Sequence, residues 1–263
     1  MPAEGVTNRQ RSHPAAAEVA FLIPSTLKAY TPQQKTTHCV IIANGDPPDP
    51  ATVQRLTGQA DLLLAADGGA RHALALNLVP HVVIGDLDSL DEDQEAHLHS
   101  AGTRFIVHPT AKDETDLELA LLYAVEQGAD PIIVLGALGG RLDQMLANVL
   151  LLTMPALAGR DVRLIDGPQS AFVVRDQATI TGRTGDTVSL IPLGGEVRRI
   201  TTHGLAYPLT EGTLPFGPAL GVSNEMTASR AQVQVREGLL LCVHLSLQET
   251  KTRDGARPES KEA

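Results

Sequence analysis

Val82-Val83-Ile84-Gly85-Asp86-Leu87-Asp88-Ser89 decides how this chain is read. A short, continuous apolar run gives way at a glycine to two aspartates separated by one residue. A run without alternation is what a strand buried on both faces of a parallel sheet requires. If the extended chain continues through Leu87, the Asp86 and Asp88 side chains point the same way. Like charges so close raise one another's pKa, and a divalent cation between them removes that cost. Carboxylate oxygens are hard ligands of the kind Mg²⁺ takes, usually one or two from protein and the rest from water and phosphates.

Working outward, similar apolar runs recur at Cys39–Ile42, Leu62–Ala65, Phe105–Val107, Ile132–Leu135 and Val162–Ile165. Helical patterns fall between and after them, near 51–59, 69–77, 91–101, 115–128 and 141–157. Repeated β-then-α units predict an α/β domain with a doubly wound, mostly parallel sheet over residues 37–168, binding ligands at the carboxyl ends of its strands. From about Ala171 the pattern changes. Thr187–Ile191 precedes a Gly194-Gly195 turn, Gln232–Val235 alternates, and Arg236-Glu237-Gly238 turns into Leu239–Leu245. These short runs predict a small antiparallel β-sandwich domain over residues 169–249, with the boundary at Asp166-Gly167-Pro168. Residues 1–36 and 250–263 lack a sustained period and read as mobile tails.

Nearly every predicted strand end of the first domain carries polar residues: Asn44-Gly45-Asp46, Asp67-Gly68-Gly69, the Asp86/Asp88 pair, Lys112-Asp113-Glu114-Thr115-Asp116 and Gly136 to Asp143. In a sheet of this class those ends converge on one crevice. The paired Gly68 and Gly69 permit close backbone approach and unusual φ, and expose N–H groups at a helix start to an anion. Asp113 reads as an N-cap with Asp116 three residues on. Asp116 can also lean toward a metal, and Lys112 can serve as a phosphate cation. Arg141 offers a fork for phosphate oxygens, and Asp143 can accept from an amine-bearing substrate.

Composition narrows the classes. A hydrophobic content of 43% and a charged content of 20% are ordinary for a globular protein. A net charge of −10 with no dense Lys/Arg run argues against nucleic acid as a partner. No stretch approaches the ~18 apolar residues that span a bilayer. Cys39 and Cys242 sit in apolar runs without metal or disulfide spacing, which fits buried thiols in the cytoplasm. The nine histidines show no HExxH pattern, and no G-x-S-x-G elbow or G-x-x-x-x-G-K-[ST] loop is present. What remains is Mg²⁺-dependent phosphate chemistry. A phosphohydrolase, a nucleotidyltransferase and a non-catalytic nucleotide sensor all stay open on these features.

The clusters together are more specific. Asp67-Gly68-Gly69-Ala70, Gly85-Asp86-Leu87-Asp88-Ser89, Lys112-Asp113-Glu114-Thr115-Asp116, Gly139-Gly140-Arg141-Leu142-Asp143 and Ser223-Asn224-Glu225 occur in the order of a known family. In this the chain resembles the thiamine pyrophosphokinases over roughly residues 38–246. The resemblance implies an α/β ATP-binding domain, a β-sandwich domain and a homodimer with sites between subunits. It also implies transfer of a diphosphate from ATP to the thiamine hydroxyl with Mg²⁺, giving thiamine diphosphate and AMP. It would place Asp86, Asp88 and Asp116 on the metal and polyphosphate, with Lys112 and Arg141 offsetting charge. Asn44, Asp67, Gly68, Gly69, Asp113 and Thr115 would complete the ATP side. Asp143, Gln144, Ser223 and Asn224 would lie near thiamine, the last pair from the other subunit. Where many bacterial relatives carry His after Arg-x-Asp, this chain has Gln144, so no general base is assigned there. Some members stack thiamine on Trp; this chain has none, and Tyr207 is the candidate replacement.

Overall fold

The structure is a computed structural model that describes residues 36–247. The expected tails at 1–36 and 250–263 lie outside those residues, apart from Thr36. The apolar runs form β1 (Thr37–Ile42), β2 (Leu62–Ala66), β3 (Val82–Gly85), β4 (Arg104–Val107), β5 (Ala129–Leu135) and β6 (Val162–Asp166). They pair in parallel in the order β4-β3-β2-β1-β5-β6. The helices are α1 (Pro50–Thr57), α2 (Gly69–Ala75), α3 (Glu92–Ser100), α4 (Asp116–Glu126) and α5 (Leu142–Leu151).

Alternate residues of β1 explain why its run is apolar throughout. Cys39 and Ile41 pack with Leu117, Ala120 and Leu121 of α4. Val40 and Ile42 pack with Val53 of α1 and Ala73 of α2. Ala65 and Val83 join Ala70 of α2 and Leu98 of α3. Both faces of the strands are therefore covered, and a polar residue on either face would have to be buried. The strand order reverses direction between β1 and β5, which is where sheets of this kind open a crevice.

The antiparallel half comprises β7 (Gln169–Val174), β8 (Gln177–Thr181), β9 (Thr187–His203), β10 (Gly212–Leu214), β11 (Asn224–Glu225), β12 (Arg230–Gln234) and β13 (Glu237–Leu245). The change from parallel to antiparallel pairing falls at Gly167-Pro168, between β6 and β7. Hydrogen bonding continues across it, through β7 to β13, β9, β12 and β8. A second core gathers Phe172, Ile180, Val188, Ile200, Val233 and Leu240.

Three local expectations change. Helix α5 stops at Leu151 rather than near 157, because Pro155 forces Met154 into an extended conformation (ψ 134°). Gly194-Gly195 does not end a strand: β9 runs through it, and its register against β13 jumps from Leu239↔Leu193 to Glu237↔Arg198. The cap of α4 is Thr115, whose hydroxyl accepts from the Glu118 N–H at 3.2 Å, not Asp113.

Asp186, only 2% exposed, ties the turn before β9 to the end of β13. It accepts from the backbone N–H groups of Arg183 at 2.9 Å and Leu247 at 3.1 Å, and lies 3.0 Å from His244 Nε2. Burial alone would raise its carboxyl; the Leu247 and Arg183 N–H groups, with His244, outweigh burial and hold it below its ordinary value. A depressed carboxyl stabilises the fold above its unfolded pKa, and that stability is lost as pH falls through the folded pKa. Asp186→Asn is expected to cost about 2 kcal/mol at neutral pH, the scale of charge-assisted hydrogen bonds. Urea titrations should show the gap between wild type and variant narrowing below about pH 4.

Candidate active site

The carboxyl ends of β1 to β5 open onto one cavity of about 590 Å³. Asn44 and Asp46 reach it from β1, Asp67 from β2, Asp86 from β3, Thr110, Lys112 and Glu114 to Asp116 from the segment after β4, and Gly139 to Arg141 with Gln144 from β5; Asp113 does not line it. Backbone bonds sew the outer loops together: Gly45 N–H donates to Gly136 O at 2.7 Å and Asp46 N–H to Leu138 O at 3.3 Å. Asn148, buried in α5, donates to Ala137 O at 2.8 Å and holds the glycine-rich loop from below.

The aspartate pair converges by a turn, not by an extended chain. Strand β3 ends at Gly85, and Leu87 has φ 65°. The left-handed residue brings the Asp88 N–H to 3.3 Å from Asp86 Oδ1, while the Leu87 side chain packs among Ala65, Ala70, Val83 and Leu98. A left-handed conformation is costly for Leu, so burial of its side chain has to offset it. Gly85 lets the neighbours close in: a Cβ there would lie 3.0 Å from Asp67 Cβ and 3.3 Å from Asp116 Cγ.

Oxygens of Asp67, Asp86 and Asp88 lie within 4.8 Å of one another. Asp67 Oδ2 accepts from Ser89 Oγ at 2.6 Å and from Asn44 Nδ2 at 3.4 Å, whereas its Oδ1 is buried with no donor. The Asp88 N–H holds the Asp86 carboxyl below its ordinary value, helped by the Thr110 hydroxyl and the Lys112 charge. The Asp86 charge, with some desolvation and the Asp67 charge, pushes Asp88 above its ordinary value. An orphaned buried carboxylate oxygen beside two more carboxylates fits a hard divalent cation.

Asp67 thus joins the expected Asp86/Asp88 pair, and Asp116 lies beside it across Gly85, its Oδ1 likewise buried without accepting a hydrogen bond. Lys112, four residues earlier, takes Asp116: its Nζ lies 2.9 Å from Asp116 Oδ1. The approach is off the line of a hydrogen bond, so this oxygen is ion-paired without accepting one.

Gly68 and Gly69 are buried, and the unusual φ falls on Asp67 (44°) instead. The glycines serve close packing: a Cβ on Gly69 would strike the Ile42 carbonyl, and one on Gly68 the Asn44 side chain. Neither glycine lines the cavity. Arg141 and Asp143 pair with each other through two hydrogen bonds of 3.1 and 2.6 Å, and Asp143 does not line the cavity. The Arg141 hydrogen bonds hold the Asp143 carboxyl below its ordinary value. Ser223, Asn224 and Tyr207 lie elsewhere, at a second cavity of about 320 Å³ in the antiparallel half.

Sequence reasoning did not assign Asp46, Ser89, Thr110 or Asn148. Asp46, Ser89 and Thr110 sit at strand ends, which was their only signal; Asn148 lies inside α5, where nothing marks it.

Residues 53–164 match the family model for thiamin pyrophosphokinase, catalytic domain, and residues 175–240 match the thiamin pyrophosphokinase, vitamin B1 binding domain. The chain belongs to the thiamine pyrophosphokinase family. Thiamine pyrophosphokinase of Bacillus subtilis (strain 168) is 31% identical over 193 residues, 72% of this chain and 90% of that relative. The crystal structure of thiamine pyrophosphokinase from Bacillus subtilis superposes with a TM-score of 0.70 at 28% identity, covering 80% of this chain and 99% of that one. The enzyme of Geobacillus thermodenitrificans gives 0.69 at 30% identity, over 80% and 98%. Thiamine pyrophosphokinases transfer pyrophosphate from ATP to thiamine, producing thiamine diphosphate and AMP. No helix among the described residues is long and apolar enough to cross a membrane.

The crowding of carboxylates has a measurable consequence. Mg²⁺ should raise the melting temperature of the wild type in proportion to the logarithm of its concentration above Kd. Asp88→Asn, which relieves repulsion, should fold at least as stably without metal and show a smaller metal-dependent rise by differential scanning calorimetry.

Proposed function

We propose that this chain transfers the diphosphate of ATP to the hydroxyl of thiamine, using Mg²⁺ held by Asp67, Asp86 and Asp88. The single observation that carries the metal reading is the buried, donorless Asp67 Oδ1 beside the Asp86/Asp88 pair. A bound Mg²⁺ supplies charge neutralisation on the polyphosphate. Lys112, only 12% exposed, adds a fixed positive charge in the same cavity, held there by Asp116. Arg141 turns its fork from Asp143 to phosphate oxygens when ATP enters. The thiamine oxygen attacks the β-phosphorus in line and forms the new P–O bond. The bond from that phosphorus to the α,β-bridging oxygen breaks, its electron pair leaves with AMP, and the hydroxyl proton goes to solvent. Such a transfer depends on positioning and charge, and Gln144 contributes no titrating group.

We read the parallel half, 37–168, as a doubly wound ATP-binding domain and the rest, 169–249, as a β-sandwich that binds thiamine in the second cavity. A homodimer is supported by the separation of the two cavities in one chain. It is supported also by Leu142, Leu146 and Leu150, which line one face of α5 beside Arg141 and are 65, 53 and 54% exposed. The free, buried Cys39 and Cys242, both pushed up to about 12 by burial, fit the reducing cytoplasm.

Incubation with ATP and Mg²⁺ should yield AMP only when thiamine is present; release of free phosphate without thiamine would favour a hydrolase. Asp88→Asn should lower turnover by ~10² or more while the fold persists, the scale of lost electrostatic stabilisation. Near-normal activity of that variant at saturating Mg²⁺ would sink the metal assignment. Sedimentation velocity should give a dimer for the wild type and a shift toward monomer for Leu146→Glu; a wild-type monomer would overturn the dimer.

A further inference from the structure

The Asn224 side chain spends its hydrogen bonds on the backbone of its own chain. Its Oδ1 accepts from the N–H groups of Tyr207 at 3.0 Å and Glu225 at 2.9 Å, and its Nδ2 donates to the Tyr207 carbonyl at 2.8 Å. Both acceptor lone pairs and one of the two amide hydrogens are thereby used. The opposite amide orientation would break all three bonds, so the network fixes it. The Asn224 backbone is pinned to Val188 of β9. Next to it, Leu205 bridges Met226, and the Ala206 N–H donates to Glu225 O at 2.8 Å. Asn224 thus extends a short antiparallel zipper by one residue, with a side chain in place of a backbone. Pro208 restricts Tyr207 from the other side.

Tyr207 itself lines the second cavity and is 74% exposed. An aromatic residue held so firmly by its backbone, yet left open, is arranged to meet a ligand at low entropic cost. We propose that Asn224 is a positioning residue that acts on the substrate by fixing the backbone of Tyr207, the residue that the family resemblance already sets against the acceptor in place of Trp. This rests on the reading of the second cavity as the thiamine site.

The test is a double-mutant cycle on the full-length chain, with thiamine KM, ATP KM and kcat as readouts. Tyr207→Ala and Asn224→Ala should each raise thiamine KM roughly tenfold, the scale of one or two net hydrogen bonds or a lost ring contact. ATP KM and kcat should stay within about twofold, as expected when only uniform substrate binding is removed. The double variant should be no worse than Tyr207→Ala alone. Increments that multiply would show Asn224 touching substrate independently and would overturn the proposal. Hydrogen exchange over residues 205–209 gives a readout free of turnover: exchange should quicken in Asn224→Ala, and unchanged protection would also overturn the clamp. If the wild type forms no AMP with thiamine, the functional reading fails, and the exchange comparison still decides the clamp. Should Asn224→Ala not fold, Asn224→Asp, which keeps the accepted bonds and loses the donated one, takes its place.

Discussion

Holding Asp67, Asp86 and Asp88 within 4.8 Å of one another is the constraint on which the catalytic half depends. Like charges do not gather without something that forces them together and something that compensates them. The force is the parallel sheet, which delivers the ends of β2 and β3 side by side through the pairing of Ala66 with Ile84. Two left-handed residues, Asp67 and Leu87, then aim the carboxylates inward. The compensation is local where the chain can supply it, from Ser89, the Asp88 N–H and Lys112. It is incomplete at Asp67 Oδ1, which is buried without a donor, so the three carboxylates do not form a satisfied polar network.

The antiparallel half solves a different problem. It has its own core, joined to the first half by continuous hydrogen bonding rather than by a free linker. Its cavity is ringed by leucines, and its one rigid exposed aromatic is Tyr207 among the described lining residues. The two cavities differ in chemistry: charged side chains line the one at the strand ends, leucines and one open aromatic ring the one in the β layer. The exposed leucines of α5 start next to Arg141, so the surface that would bring a second copy close begins at the rim of the phosphate cavity.

Much of the fold was legible because burial on both faces leaves an unmistakable run. Every apolar run from Cys39 to Ile165 is a strand, and the helices between them start within a residue or so of their expected positions. Errors came where one residue competes with its neighbours. Thr115 displaced Asp113 as a cap, Pro155 cut α5 short, and Gly194-Gly195 became a bulge inside β9 because β13 pairs on both sides of it. Each outcome turns on a partner distant in sequence or on a choice between adjacent caps of similar strength.

The sequence by itself determined that polar residues would stand at the ends of buried strands, and that a carboxylate pair would lie among them. Periodicity and residue type suffice for that, since they govern which face of an element can be buried. Only the tertiary structure decided which carboxylates meet. Asp67 and Asp86 are far apart in the chain and adjacent in the sheet, while Asp116 pairs with Lys112, four residues before it. The same holds for Asn224, which the sequence by itself placed in a turn and the family resemblance near thiamine, and whose side chain bonds the Tyr207 backbone in the fold. Contact across strands is set by register, and register is a property of the folded sheet as a whole.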